Sequence, residues 1–294
     1  MANYVLSCCS TCDLTAEHLQ QRDINVIFFH YELDGKMYND DFGSTIPYHD
    51  FYQAMAEDKM TRTSQVNTDE FKAYFTKFVA TGRDVLHLCL SSGISGVYNS
   101  AAAAAAEVNE RYPDRRVVVI DSLCASCGYG LLMDRLADLR DEGKTLDEVA
   151  AFAKENRTKV QHWFFTSDLK YLVRGGRVSK VAGAFGTMLN ICPLMWVDKD
   201  GKLAAREKVR TKRRVIRTCA DRVGELIENG ADYNGKVYIN HSDCVEDAKA
   251  LRDIIVSEHP KMAEAPRIGW VGTTIGSHTG PGLTVICFWG AERT

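Results

Sequence analysis

Short β-rich runs alternate with helix-forming stretches along this chain, and no other feature constrains its fold as much. YVLSC (4–8), INVIFFHYEL (24–33), DVLHLCL (84–90), RRVVVI (115–120) and VQHWFFT (160–166) have the β-branched and aromatic content of strands. KVYIN (236–240), RIGWV (267–271) and LTVICFW (283–289) repeat that signal late in the chain. The order strand, helix, strand, helix through residue 160 predicts a doubly wound, mostly parallel sheet. The pattern after it is mixed. A chain of 294 residues is long enough for two domains of about 100–200 residues each. The expected α/β architecture is therefore an N-terminal domain over 1–160 and a mixed α/β domain over 161–294.

Local signals place the connections. Asp34-Gly35 between INVIFFHYEL and KMYNDD predicts a hairpin turn, and Pro47 opens a helix through Met55. Thr145 with Glu148 makes a capping box for a helix to about Asn156. The alanine-rich stretch 98–111 is helical by propensity. A long helix is expected from Thr211 to Glu228, ending at Gly230, and Asp198-Lys-Asp-Gly reads as a turn between LMWV and KLAAREKV.

A formal net charge of -3 with both signs interspersed gives no basic stripe, so nucleic acid is not an expected partner and the ligand should be small. The opening MANYVLSCC lacks the charged and apolar segments of a secretory leader. The longest apolar stretch, 183–197, is broken by Asn190 and Pro193, so no membrane span is expected. A cytoplasmic location follows from these readings, and with it ten reduced cysteines.

In an open parallel sheet, ligands bind outside the carboxyl ends of the strands. Three loops expected there are rich in hydroxyls: Arg62-Thr63-Ser64-Gln65, Ser91-Ser92-Gly93-Ile94-Ser95-Gly96, and the run from Asp121-Ser122 to Ser126 and Gly128. Each sets hydroxyls and unpaired N–H groups near a helix start, where an anion is stabilised. Helix capping alone would also place Ser and Thr there. The late IGSHTGPG (275–282) adds a histidine, His278, between glycine-bearing turns, which is either a surface-loop residue or one that faces a ligand.

Taken together, STCDL (10–14), TSQ (63–65), SSGISG (91–96), DS (121–122) with Ser126 and Gly128, RGGRVS (174–179), EKVRTKRR (207–214) and HTGPG (278–282) resemble the DegV family of bacterial fatty-acid-binding proteins, in order and over nearly the whole chain. The resemblance implies one long-chain fatty acid in a tunnel between two domains, with no other cofactor. It implies Thr63, Ser64, Ser92 and Ser95 as hydrogen-bond donors to the carboxylate, capped by His278, with Arg177 and Arg210 near the same entrance. It also implies a partner, an ATP-dependent fatty acid kinase subunit related to dihydroxyacetone kinases, which makes the acyl phosphate that feeds phospholipid metabolism. The chain itself would be a carrier, not an enzyme. Two positions depart from the family: Cys8-Cys9 replaces its usual first-loop aspartate, and Val66 its usual proline after TSQ.

The chemistry is consistent with that division of labour. Burying roughly fourteen methylenes at about 0.8 kcal/mol each gives about 11 kcal/mol gross, reduced by association and ordering costs. Neutral hydroxyls satisfy a desolvated carboxylate while leaving its oxygens nucleophilic, and cations such as Arg177, Arg210 and a protonated His278 suit phosphoryl transfer. No GxxxxGK[ST] segment is present, so no nucleotide cradle of that type is expected. The basic run 206–217 is either a solvated helix face or a docking surface for an acidic partner.

Two rivals remain at this level. Cys9-x-x-Cys12 and Cys124-x-x-Cys127 both follow expected strands of one sheet and could form a metal or redox site. Ser95 with His278 could form a hydrolase pair, although Ser95 lies in G-I-S-G and not in a GxSxG elbow.

Overall fold

The structure, a computed structural model, describes residues 4–166, 168–178, 191–262 and 264–294. Strands β1 (Tyr4–Cys9), β2 (Ile24–Ile27), β6 (Asp84–Cys89) and β7 (Val117–Asp121) form a parallel sheet in the order β2-β1-β6-β7. A six-stranded sheet follows, in the order β10-β9-β8-β13-β11-β12. It comprises β8 (Val160–Phe165), β9 (Ile191–Val197), β10 (Leu203–Arg210), β11 (Tyr238–His241), β12 (Arg267–Trp270) and β13 (Thr284–Trp289). Only β11 and β12 pair in parallel; the other neighbours are antiparallel. This mixed α/β organisation is the expected one.

INVIFFHYEL departs from expectation because it is two strands and not one. β2 stays in the parallel sheet, whereas β3 (His30–Leu33) joins β4 (Lys36–Asn39) and β5 (Thr61–Ser64) in an antiparallel sheet ordered β4-β3-β5. The break has a hydrogen-bond cause. Phe29 N–H donates to Ser10 Oγ at 3.1 Å, and Phe29 C=O accepts from Asp40 N–H at 2.8 Å, so its backbone is taken out of the first sheet's ladder. The hairpin between β3 and β4 turns at Asp34 and Gly35, with φ of 51° and 79°, as the primed two-residue turn requires.

The local helix signals hold. Thr145 and Glu148 form a reciprocal capping box on the helix Leu146–Asn156, and Thr211 caps the helix Lys212–Leu226. Pro47 sits just before the helix Tyr48–Ala56, and the alanine-rich helix runs Val97–Arg111. The Asp198 turn joins β9 to β10.

The helix Ser126–Asp141 holds the halves together. It is buried along most of its length because it packs on β1 on one side and on β8, β11 and β13 on the other. Close approach explains Gly128 there: a Cβ on it would meet His162 Nε2 at 2.0 Å. On the outer flank, fully buried Asp134 accepts from His18 Nε2 at 2.8 Å, Arg22 Nη1 at 3.0 Å, Lys236 Nζ at 2.5 Å and Tyr238 OH at 2.9 Å. One carboxylate thus ties residues from both ends of the chain.

Candidate functional site

A cavity of about 740 Å³, open solvent at its mouth included, lies where the three sheets meet. Phe29, Leu90, Phe164, Leu203, Leu283 and Val285 give it apolar walls. Its polar lining includes Thr63, Ser95, Arg177 and His278.

Thr63 faces inward because β5 alternates. Thr61 and Thr63 turn toward the helix Thr273–Thr279, with Thr61 Oγ1 donating to Ser277 C=O at 3.4 Å, while Arg62 and Ser64 point to solvent. Thr63 Oγ1 is 2.8 Å from His278 Nε2. His278 Nδ1 is buried without a partner. Burial, with Arg177 and Arg174 nearby, lowers the imidazole pKa to about 4, so His278 is neutral at neutral pH. It therefore lacks the positive charge expected of it, whereas Arg177 lines the same cavity. The Arg177 side chain is held at the cavity wall, donating from Nε to Ile94 C=O at 3.2 Å and from Nη1 to Gly175 C=O at 2.6 Å. Burial lowers its pKa too.

Ser95 Oγ donates to Gln65 Oε1 at 3.2 Å and accepts from Val97 N–H, the first residue of the following helix, at 3.3 Å while lining the cavity. Gln65 in turn donates to Ser100 Oγ at 3.1 Å. A ligand carboxylate that takes the Ser95 proton competes only with this amide.

The structure thus gathers Thr63, Ser95, His278 and Arg177. It does not bring Ser64, Ser92 or Arg210 to the cavity wall. Ser64 lies on the outer face of β5, and Ser92 is exposed, with its N–H donating to Asp121 Oδ1 at 3.1 Å. Arg210 is exposed at the end of β10. Ser179 of RGGRVS lies outside the described residues.

Thr274, Thr279 and His162 line the cavity as well, with no role expected of them from sequence. Thr274 and Thr279 are almost fully buried, and their hydroxyls have no partner. His162 is held by Val160 C=O at Nδ1 and Ala125 N–H at Nε2, and burial drives its pKa well down. Its neutral ring lines the cavity with both nitrogens already engaged. Within HTGPG the threonine at 279 was a visible signal, whereas a histidine inside VQHWFFT reads as core.

The cysteine pairs diverge. Cys9 Sγ lies 3.6 Å from His87 Nε2, Cys124 Sγ lies 3.5 Å from Arg157 C=O, and Cys127 Sγ lies 3.4 Å from Cys287 Sγ. Among the described residues, no three His, Cys, Asp or Glu side chains gather as a metal set. Nor do Ser95 and His278 form a nucleophile–base pair, since Nε2 is bonded to Thr63 and Nδ1 to nothing.

Residues 9–290 match the family described as "Uncharacterised protein, DegV family". A DegV domain-containing protein of Clostridium perfringens is 34% identical over 293 residues, spanning 100% of this chain and 99% of its own. The chain belongs to the DegV family. Solved DegV structures superpose on it closely. A Thermus thermophilus member, described as binding fatty acid, has a TM-score of 0.85 at 26% identity, covering 98% of this chain and 99% of its own. A Thermotoga maritima protein described as revealing fatty acid binding function gives 0.83 at 26%, covering 99% and 100%. Like this DegV chain, these neighbours are mixed α/β proteins. No helix among the described residues is long and apolar enough to cross a membrane.

Proposed function

We propose that this DegV protein holds one long-chain fatty acid in the cavity and presents its carboxylate to a separate ATP-dependent kinase of the dihydroxyacetone kinase type, performing no chemistry alone. The observation that carries the reading is the Thr63–His278 pair, which sets a half-buried hydroxyl and a neutral imidazole in an otherwise largely apolar cavity. With Nε2–H donating to Thr63 Oγ1, the unpartnered Nδ1 is an acceptor and not a stranded donor, and the threonine proton is free for a carboxylate oxygen. Ser95, released from Gln65, donates to the headgroup, and Thr279 beside His278 adds a hydroxyl with no competing partner. Arg177 supplies the positive charge at the mouth without a bidentate grip, because two of its nitrogens are already committed to carbonyls. The fatty acids described in the solved relatives fit this cavity's chemistry.

The acyl phosphate step requires the carboxylate to meet a phosphoryl group from outside. Arg210 and the basic run 206–217 stand outside the cavity wall, where a kinase would dock, and the protein acts in the cytoplasm in this reading. Mass spectrometry of the organic extract from purified protein, beside its native intact mass, tests the carrier function. One fatty acid per chain is the expected result. Protein that is empty and takes up no added fatty acid would overturn it.

A further inference from the structure

The cavity contains a second polar spot, one helical turn from His278. Thr274 precedes His278 by one turn on the same helix, which puts their Cβ atoms about 5–6 Å apart. It lines the cavity, is only 3% exposed, and its Oγ1 makes no hydrogen bond. Asp40 lies near enough for this hydroxyl to help lower the carboxyl's raised pKa, but it is already supplied. Asp40 Oδ1 accepts from Thr273 at 2.6 Å and Oδ2 from Ser10 at 3.1 Å.

Ser126 faces the same cavity and has the opposite capacity. Its Oγ donates to buried Asp13 Oδ2 at 2.5 Å, and in that geometry the oxygen offers the cavity an acceptor. The backbone pays for that orientation, since Ser126 has φ of 49°, a left-handed conformation that a non-glycine residue keeps only where its surroundings fix it. Asp13 also reaches the start of the helix that carries Thr274, because its Oδ1 would lie 2.6 Å from a Cβ on Gly272, two residues before Thr274.

A plain acyl chain leaves this donor and this acceptor unmatched inside an apolar wall that includes Phe29, Val271 and Ile275. A keto oxygen would match the donor alone. A hydroxyl matches both.

We infer that the site takes fatty acids carrying a hydroxyl close to the carboxyl end, with Thr274 donating to the hydroxyl oxygen and Ser126 accepting its proton. This rests on the fatty-acid reading above and names the substrate class within it. The test is titration of the delipidated protein with palmitate and with 3-hydroxypalmitate, by displacement of a fluorescent fatty acid. The wild type is expected to bind the hydroxy acid about five- to tenfold tighter, as one added buried hydrogen-bonded hydroxyl supplies. Thr274→Val and Ser126→Ala bring the ratio toward one, and Thr274→Ser, which keeps the hydroxyl, retains the preference. Equal affinities in the wild type, or a preference that survives Thr274→Val, would overturn the inference while leaving fatty acid binding intact. Failure to bind either acid would instead defeat the fatty-acid reading.

Discussion

Gly175 lies against His278 so closely that a Cβ on the glycine would stand 2.3 Å from Nδ1. Its own backbone, at φ of -75°, would accept any residue, so the requirement comes from the imidazole and not from the turn. Gly175→Ala is therefore expected to push His278 off Thr63 and weaken fatty acid retention about tenfold, the scale of a forced shift in a packed site. Displacement titration measures this. Gly224→Ala, in the helix Lys212–Leu226 with open space where the Cβ would go, is the control and should leave retention unchanged.

The buried histidines make stability pH-dependent with a definite sign. The folded-state pKa of His278 is depressed to about 4 from an ordinary 6.5, so between those values the unfolded chain binds the proton and the folded one does not. Its contribution is fully present above pH 6.5 and is lost as pH falls to about 4, amounting to about 3 kcal/mol. His87, depressed to about 3 by burial, acts in the same direction. Urea unfolding at pH 7, 5.5 and 4 should show the loss, and His278→Gln should flatten its share. An unchanged pH slope in that variant would show that the imidazole is not buried neutral.

Much of this architecture is legible from local pattern, and its gaps have local causes. Thr145 with Glu148, the Asp34-Gly35 turn and the strands on either side of the Ser91 loop announce themselves through capping, turn chemistry and β-branched content. Phe28-Phe29 sits in an unbroken apolar run, so nothing in the residues marks the change of sheet that Ser10 and Asp40 impose through hydrogen bonds. TRTS (61–64) carries no apolar residue and reads as loop. Its pairing with β3 comes from tertiary structure, and without that pairing Thr63 and Ser64 cannot be told apart by face. His278 was legible through its motif. Thr274 was not, because its significance is an unmatched hydroxyl, visible only once its neighbours are placed.

Asp134 should be among the most sensitive positions outside the cavity. Burial alone would raise its pKa, but hydrogen bonds from His18 and Lys236 outweigh that and hold the carboxyl below its usual range. Asp134→Asn leaves Arg22 and Lys236 around a neutral amide in a buried setting, and a loss of about 3–5 kcal/mol is expected from chemical denaturation. Because the cluster lies on the outer flank, lipid retention in the surviving folded protein should not change. A loss under 1 kcal/mol would mean that these ions gain little over solvent.

Arg177 and Arg210 separate holding the lipid from reacting it. Arg177 lines the cavity and is half-buried against Ile94 and Gly175, whereas Arg210 is exposed at the end of β10, beyond the wall. Arg210→Ala should therefore keep one fatty acid per chain by mass spectrometry yet slow acyl phosphate formation by the partner kinase at least tenfold, as the loss of a cation near a transferring phosphoryl group does. Thr63→Val should act on the other half of the cycle, because it removes the hydroxyl that His278 orients while preserving volume, and lipid should be lost before any kinase is added. If both variants lose lipid equally, Arg210 belongs to the binding site and the division between cavity and docking face is wrong. If Arg210→Ala retains lipid and is phosphorylated at the wild-type rate, the kinase meets the carboxylate from another side, and the residues around Arg177 at the mouth become the next to substitute.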